Sequence, residues 1–331
     1  MKISKLLWIV FLLGSCHSQR IDELSTLGFE RLYQGDYSIV LPDVQGSARY
    51  WHAQVMNEKD VMNLTKQMQE ICLSIYPSDQ YVLTSGSVLS KEDILELQRR
   101  DSENAPYGLN PPEGLYQSGD VQLKSPYFIC DIVELNFLKK SDSQRKIALT
   151  LVMNPSEAED EILLSEGLKA SERLREYLSE VKKISEEPVL LIYAAAEIDG
   201  TLPGRFLAVD GKKIHQKWVY LPSKEAEELD SVLSSDFERL KNKVKQFLPE
   251  HVDLIGEVLF EENEAVQLKI DVNVQAKTYT EMNALAQCLA SSIYEMKNTR
   301  MMITCQIRVL DTTLFVLQRR VNQDEVLLIK L

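Results

Sequence analysis

The sequence lacks the groups on which most enzymes are built. Its four histidines, His17, His52, His215 and His251, have no second ligand at helical or turn spacing, so no zinc set is on offer. GxSxG, HExxH and GxGxxG are absent, and Gly211-Lys212-Lys213 lacks the upstream glycine and downstream hydroxyl of a phosphate cradle. None of the five cysteines falls in a CxxC, which with the length excludes a compact disulfide scaffold. Positive charge is short: 37 Lys and Arg face 50 Asp and Glu, a net charge of −13. That balance argues against nucleic acid and against an electrostatic hold on anionic lipid. No apolar run reaches the roughly twenty residues a membrane-spanning helix needs. No cofactor, no metal and no enzymatic activity are expected.

What is present begins with Met1 to Cys16, MKISKLLWIVFLLGSC. Lys2 and Lys5 form a small positive n-region, and Leu6 to Leu13 is an unbroken apolar run that fits a secretory h-region. Leu13-Gly14-Ser15-Cys16 looks like a bacterial lipobox, with cleavage just before Cys16 and a diacylglyceryl group on its thiol. Two acyl chains on one residue suffice for stable anchoring. The plainer alternative is an ordinary signal peptide that ends near a cysteine. The expected location is the extracytoplasmic face of the cell membrane, with lipoprotein signal peptidase as the processing partner. The other cysteines, Cys72, Cys130, Cys288 and Cys305, sit in apolar segments and read as buried free thiols. A Cys288–Cys305 bridge is the alternative that export permits.

At 331 residues the chain can build one large domain or two ordinary ones. We divide it into a leader (1–15), a short tether (16–24), an N-terminal α+β domain (25–222) and a C-terminal α+β domain (223–331). Strands are expected at Tyr37–Leu41 and Tyr50–Met56, then a helix over Glu58–Ile75 with Val61, Leu64, Met68, Ile71 and Ile75 on one stripe. Ser90-x-x-Asp93, Ser156-x-x-Glu159 and Thr278-x-x-Glu281 read as helix caps. Val189 to Ala195 is a strand buried on both faces, by its continuous apolar run. Ser223 to Leu248 reads as one helix. In both halves the order is strand, strand, capped helix, strand, strand. The fold class is therefore α+β, with antiparallel or mixed sheets, packed helices and two related subdomains.

Two features could hold a ligand. Asp101 to Lys124 is long, irregular and rich in Pro and Gly, the kind of loop that binds or gates, or else a plain surface excursion. The aromatic residues Tyr50, Trp51, Tyr107, Tyr116, Tyr127, Phe206, Trp218 and Tyr220, with Asn110, could line a cleft for a peptide or saccharide, or could simply pack. Carboxylates such as Glu225, Glu227 and Glu228 read as a solvated helix face.

Several stretches together resemble the CamS family of sex-pheromone-precursor lipoproteins of Gram-positive bacteria. They are Gly108-Leu109-Asn110-Pro111, Ser125-Pro126-Tyr127, Val189 to Ala195 followed by Pro203-Gly204-Arg205-Phe206, and Trp218 followed by Leu221-Pro222-Ser223. The resemblance reaches into the leader. In that family a short apolar peptide ending at the cleavage site is released and sensed by other cells. Here it would be Ile9, Val10, Phe11, Leu12, Leu13, Gly14 and Ser15, and its partner a peptide receptor. Ile9 departs from the small residue expected first. The resemblance implies a non-enzymatic, lipid-anchored protein. The alternative is a lipoprotein that holds a solute or envelope component in an aromatic-lined cleft, and an extracytoplasmic hydrolase would require distant carboxylates to meet.

Overall fold

The computed structural model describes residues 37–40, 56, 58–197, 200–248, 252–275, 278–310 and 312–331. The leader, Cys16, the tether and the strand expected over Tyr50–Met56 lie outside them, Met56 excepted. Among the described residues no helix is long and apolar enough to cross a membrane.

The first half starts with β1 (Ile39–Val40), α1 (Glu58–Leu73), β2 (Tyr81–Ser85) and α2 (Lys91–Leu97). A small hairpin, β3 (Leu115–Ser118) and β4 (Val121–Lys124), precedes the long strands β5 (Ile129–Lys139) and β6 (Arg145–Met153). Helix α3 (Asp160–Glu180) crosses to β7 (Val189–Ala194), then β8 (Arg205–Val209) and β9 (Lys212–Lys213) follow. The second half runs β10 (Gln216–Leu221), α4 (Lys224–Leu229), α5 (Ser231–Phe247), β11 (Val252–Glu261) and β12 (Glu264–Val274). It ends with α6 (Tyr279–Tyr294), β13 (Met302–Val309), β14 (Thr312–Arg319) and β15 (Val326–Lys330).

Two large sheets result, ordered β1-β2-β5-β6-β7-β8-β9 and β10-β11-β12-β13-β14-β15, beside the two-stranded β3-β4. Their wiring is the same. In each, a strand pairs antiparallel with the first strand of a hairpin, β2 with β5 and β10 with β11, and only the first sheet carries a further parallel edge strand, β1. A helix then crosses over to a parallel neighbour, β6 to β7 and β12 to β13, and a second hairpin and a short strand complete the sheet. The expectation of two related α+β units holds at the level of topology.

The halves differ in what they bury. The first sheet is apolar on both faces: α3 packs Leu163, Leu174 and Leu178 against one, and α1 packs Leu64, Met68 and Cys72 near the other. That accounts for the unbroken apolar runs in β6 and β7. In β12 Leu268, Ile270 and Val272 face the core formed with α5 and α6, while Lys269, Asp271 and Asn273 alternate with them on the far face. Burying each of these large apolar side chains contributes about 2 kcal/mol.

Local signals account for most helix ends. Ser90–Asp93 and Thr278–Glu281 are reciprocal capping boxes. Three expectations need correction. Helix α3 starts at Asp160, and its N-cap Glu159 makes no side-chain cap bond. The single helix expected over Ser223–Leu248 is two, because Asp230 takes an extended conformation and its Oδ1 accepts the Leu233 amide at 2.9 Å. The stretch Asp101–Lys124 is not irregular throughout, since it contains the β3–β4 hairpin. Cys72, Cys130, Cys288 and Cys305 are free thiols, so Cys288 and Cys305 are not bridged; Cys72 and Cys305 are buried, Cys130 and Cys288 partly so.

Asp93 also ties α2 to the end of α3, accepting hydrogen bonds from Tyr177 Oη and from Lys182 Nζ at 2.7 Å. Burial raises its pKa, but hydrogen bonds from Lys182, Tyr177 and Ser90 outweigh that and hold it at about 2. The folded value lies below the unfolded one, so the stabilisation is complete above about pH 4 and is lost as pH falls toward 2. Acid titration of stability should therefore be shallower over that window in Asp93→Asn than in the unaltered chain. Equal slopes in urea melts at pH 2 to 5 would contradict the assignment.

Candidate functional site

The site is built outward from one buried carboxylate. Asp60, 2% exposed, lies in the first turn of α1. Its Oδ1 accepts Tyr193 Oη at 2.6 Å and the Gly204 amide at 2.8 Å, and its Oδ2 accepts the Ala196 amide at 2.8 Å. Burial first, and then the Asp60 carboxylate, push the Tyr193 phenol well above its ordinary pKa, so it stays a donor. The connection between β7 and β8, Ala195 to Gly204, is thus held at both ends by one side chain. Gly204 is the residue the approach demands: a Cβ there would stand 2.3 Å from the Ala194 carbonyl oxygen and 2.7 Å from the Tyr193 ring.

The network continues into the second half. Trp218 Nε1 donates to the Gly204 carbonyl at 3.1 Å, and Lys269 Nζ stands 4.4 Å above the Trp218 ring. The same ammonium donates to Asn63 Oδ1 at 3.3 Å, one helical turn along α1 from Asp60. Gln216, 8% exposed, adds a second link, accepting the Phe206 amide and donating to Glu261, each at 2.9 Å.

This joint walls a cavity of about 600 Å³ lined by Leu202, Pro203, Arg205, Trp218 and Tyr220, with Asp160 at the start of α3. Arg205 and Asp160 form a two-pronged ion pair, Nε to Oδ2 at 2.9 Å and Nη2 to Oδ1 at 2.5 Å. Across the opening Thr201 and Tyr220 share a hydroxyl hydrogen bond. Two adjoining hollows also touch Asp160, one of about 500 Å³ toward Pro155–Glu159 and one of about 370 Å³ toward Lys213–Lys217. Among the described residues no group of His, Cys, Asp and Glu is placed to hold a metal ion.

The candidates read from sequence do not share this cavity. Trp218 and Tyr220 line it, while Phe206 is fully buried, edge-on to Tyr193, and Tyr50 and Trp51 lie outside the described residues. Tyr107 and Tyr116 pack toward α3, donating to Glu180 and Glu166. Tyr127 donates to the Gln98 carbonyl under the Arg100 guanidinium, and buried Asn110 spends its amide on Gln98 and Ile129. Asp60, Asp160 and Arg205 escaped sequence reading. Asp60, Asn63 and Gln67 do recur at helical spacing beside the apolar stripe of α1, and all three are buried, which is the signal that could have found the first.

The family model described as CamS sex pheromone cAM373 precursor matches residues 44–325, which take in the whole joint. The chain belongs to the CamS family. The crystal structure of a sex pheromone precursor from Lactobacillus salivarius subsp. salivarius UCC118 is similar with a TM-score of 0.73 at 17% identity, over 90% of this chain and 96% of that one. The C-terminal domain of the sex pheromone staph-cAM373 precursor from Staphylococcus aureus has a TM-score of 0.64 at 18% identity, over 83% and 95%. At these identities the likeness concerns the fold. No curated protein matches the chain.

Replacing Asp60 by Ala strands a buried phenol, the buried Gly204 amide and the part-buried Ala196 amide. The expected cost is about 3 kcal/mol, read as a lower urea midpoint. Amide exchange at Ala196 and Gly204 should accelerate beyond the global change. An unaltered midpoint would show that the joint does not depend on this carboxylate.

Proposed function

We propose that the chain is a lipid-anchored extracytoplasmic CamS-family protein whose leader is the precursor of an apolar peptide signal. The observation that carries this is a coincidence within one sequence. A CamS-family match over residues 44–325 stands behind a leader that ends Leu13-Gly14-Ser15-Cys16. In this reading the Cys16 thiol gives up its proton and takes the diacylglyceryl group of a membrane phospholipid as a thioether, the C–O bond to the phosphate-bearing head group breaking as that group leaves, and lipoprotein signal peptidase then hydrolyses the Ser15–Cys16 peptide bond. A further cut before Ile9 frees Ile9–Ser15. That peptide has no ionisable side chain and is too short to span a bilayer, so it can leave the membrane and meet a receptor on another cell. The folded part stays on the outer face, held by two acyl chains, and the reading assigns it no reaction and no nucleic-acid partner. A second reading, a lipoprotein that holds a ligand, is favoured by the cavity beside Trp218 and Arg205.

Mass spectrometry of the protein recovered from host membranes should find a chain beginning at diacylglyceryl-Cys16. Cys16→Ala should abolish both the modification and the cleavage. A wild-type chain still beginning at Met1, or cut elsewhere with Cys16 unmodified, would remove the anchor and the peptide together.

A further inference from the structure

The two halves share their wiring but not their connections. In the second half β13 turns into β14 through residues 310 and 311, and a capping box closes the N terminus of α6. In the first half the matching connection runs from Ala195 to Gly204, and α3 begins without a side-chain cap. Both differences fall at one place, outside the carboxyl ends of the parallel strands β6 and β7. In open α/β sheets ligands gather outside that end of the parallel strands, and β6 and β7 form one parallel pair of that sort within a mixed sheet. Ala196 and Gly204, toward the two ends of that connection, are held in place, since Asp60 takes their amides. A wall held in this way suits a preorganised site, and a volume of about 600 Å³ is in the range of small-ligand sites.

The lining divides by chemistry. Leu202, Pro203, Trp218 and Tyr220 give the middle an apolar character. The hollow on one side carries Glu157, Glu159, Asp160 and Glu197 against the single cation Arg205. The other hollow brings Lys213, His215 and Lys217 beside Asp160 and Glu161; there Lys213 pairs with Glu161 at 3.8 Å and Lys217 with Glu225, exposed pairs that a ligand carboxylate can replace at little cost. Glu159 and Glu197 are exposed carboxylates, free to turn toward a cation.

We propose that this cleft takes a short apolar peptide by its two ends, with the free amino group among the carboxylates and the carboxylate toward the lysines. The chain encodes such a peptide in Ile9–Ser15, whose only charges would be at its termini. The choice of that occupant rests on the release reading above; the cleft itself does not.

The test uses the full chain in lipid nanodiscs and a synthetic Ile-Val-Phe-Leu-Leu-Gly-Ser with a benzophenone side chain in place of Phe. Irradiation should attach it to residues 200–205 or 216–220, and unlabelled peptide should compete. An N-acetylated competitor should be about ten-fold weaker, the loss of one charge-assisted contact. The double variant Glu159→Gln, Glu197→Gln should lower labelling by the free peptide about ten-fold and leave labelling by its acetylated form unchanged. Crosslinks confined to lipid or to other surfaces, or equal competition by the free and acetylated peptides, would overturn the proposal. The release reading fails separately, on the N terminus of the membrane-recovered protein. Cleft labelling with an unprocessed N terminus would keep the peptide site and remove only its natural source.

Discussion

The arrangement of the first half against the second depends on a carboxylate taken out of water. A buried charge is tolerated only when its lone pairs are filled, and Asp60 fills them with a phenol and two backbone amides from separate segments. Satisfying it therefore fixes α1, β7 and the β7–β8 connection relative to one another. Gly204 then passes the constraint on, since its amide goes to Asp60 and its carbonyl to Trp218. Lys269 returns it to α1 through Asn63. No apolar contact could specify the geometry so narrowly, because dispersion is indifferent to small slides and hydrogen bonds are not.

A joint of this kind lets the two halves differ where they are not constrained. Both keep the same strand order, and each sheet buries the face its crossover helix covers. The opposite faces have parted. The first sheet presents Val133, Leu135, Phe137 and Leu191 to the α1 side, and the second presents Lys269, Asp271 and Asn273 on the corresponding strand face. A core buried on two faces is the more rigid support, and the longer connection is mounted on that half.

Much of this was legible where the determining contact is local. Caps at Ser90 and Thr278 rest on side chains reaching three residues, and both were read correctly from spacing. The continuous run of β7 and the alternation in β12 report one- or two-sided burial directly. The break at Asp230 was hidden because Leu229, Leu233 and Phe237 keep helical spacing across it, so the apolar stripe hides the change of direction. The Asp101–Lys124 stretch misled for the opposite reason. Its order comes from partners outside it or at its borders: Arg100 donates to the carbonyls of Pro111, Ser125 and Pro126, and Asn110 to those of Gln98 and Ile129. Pattern within the stretch could not reveal them.

The aromatic residues show the same limit from the side of function. Tyrosines at loop edges look like a binding surface in a sequence, yet Tyr107 and Tyr116 each spend the hydroxyl on a carboxylate of α3 and the ring on an edge-on aromatic partner. A side chain already satisfied at both ends gains little from a ligand. The residues with capacity left are charged ones at the rim, such as Glu159 and Glu197, which composition assigns to a solvated surface. What separates them from the many other exposed charges is position alone: they surround the one long β-to-β connection that a buried carboxylate clamps. Position of that sort follows from the pairing of β6 with β7 and from Asp60 reaching across more than a hundred residues to Tyr193, Ala196 and Gly204. The signal that marks such a place is therefore spatial, and no pattern along the chain reports it.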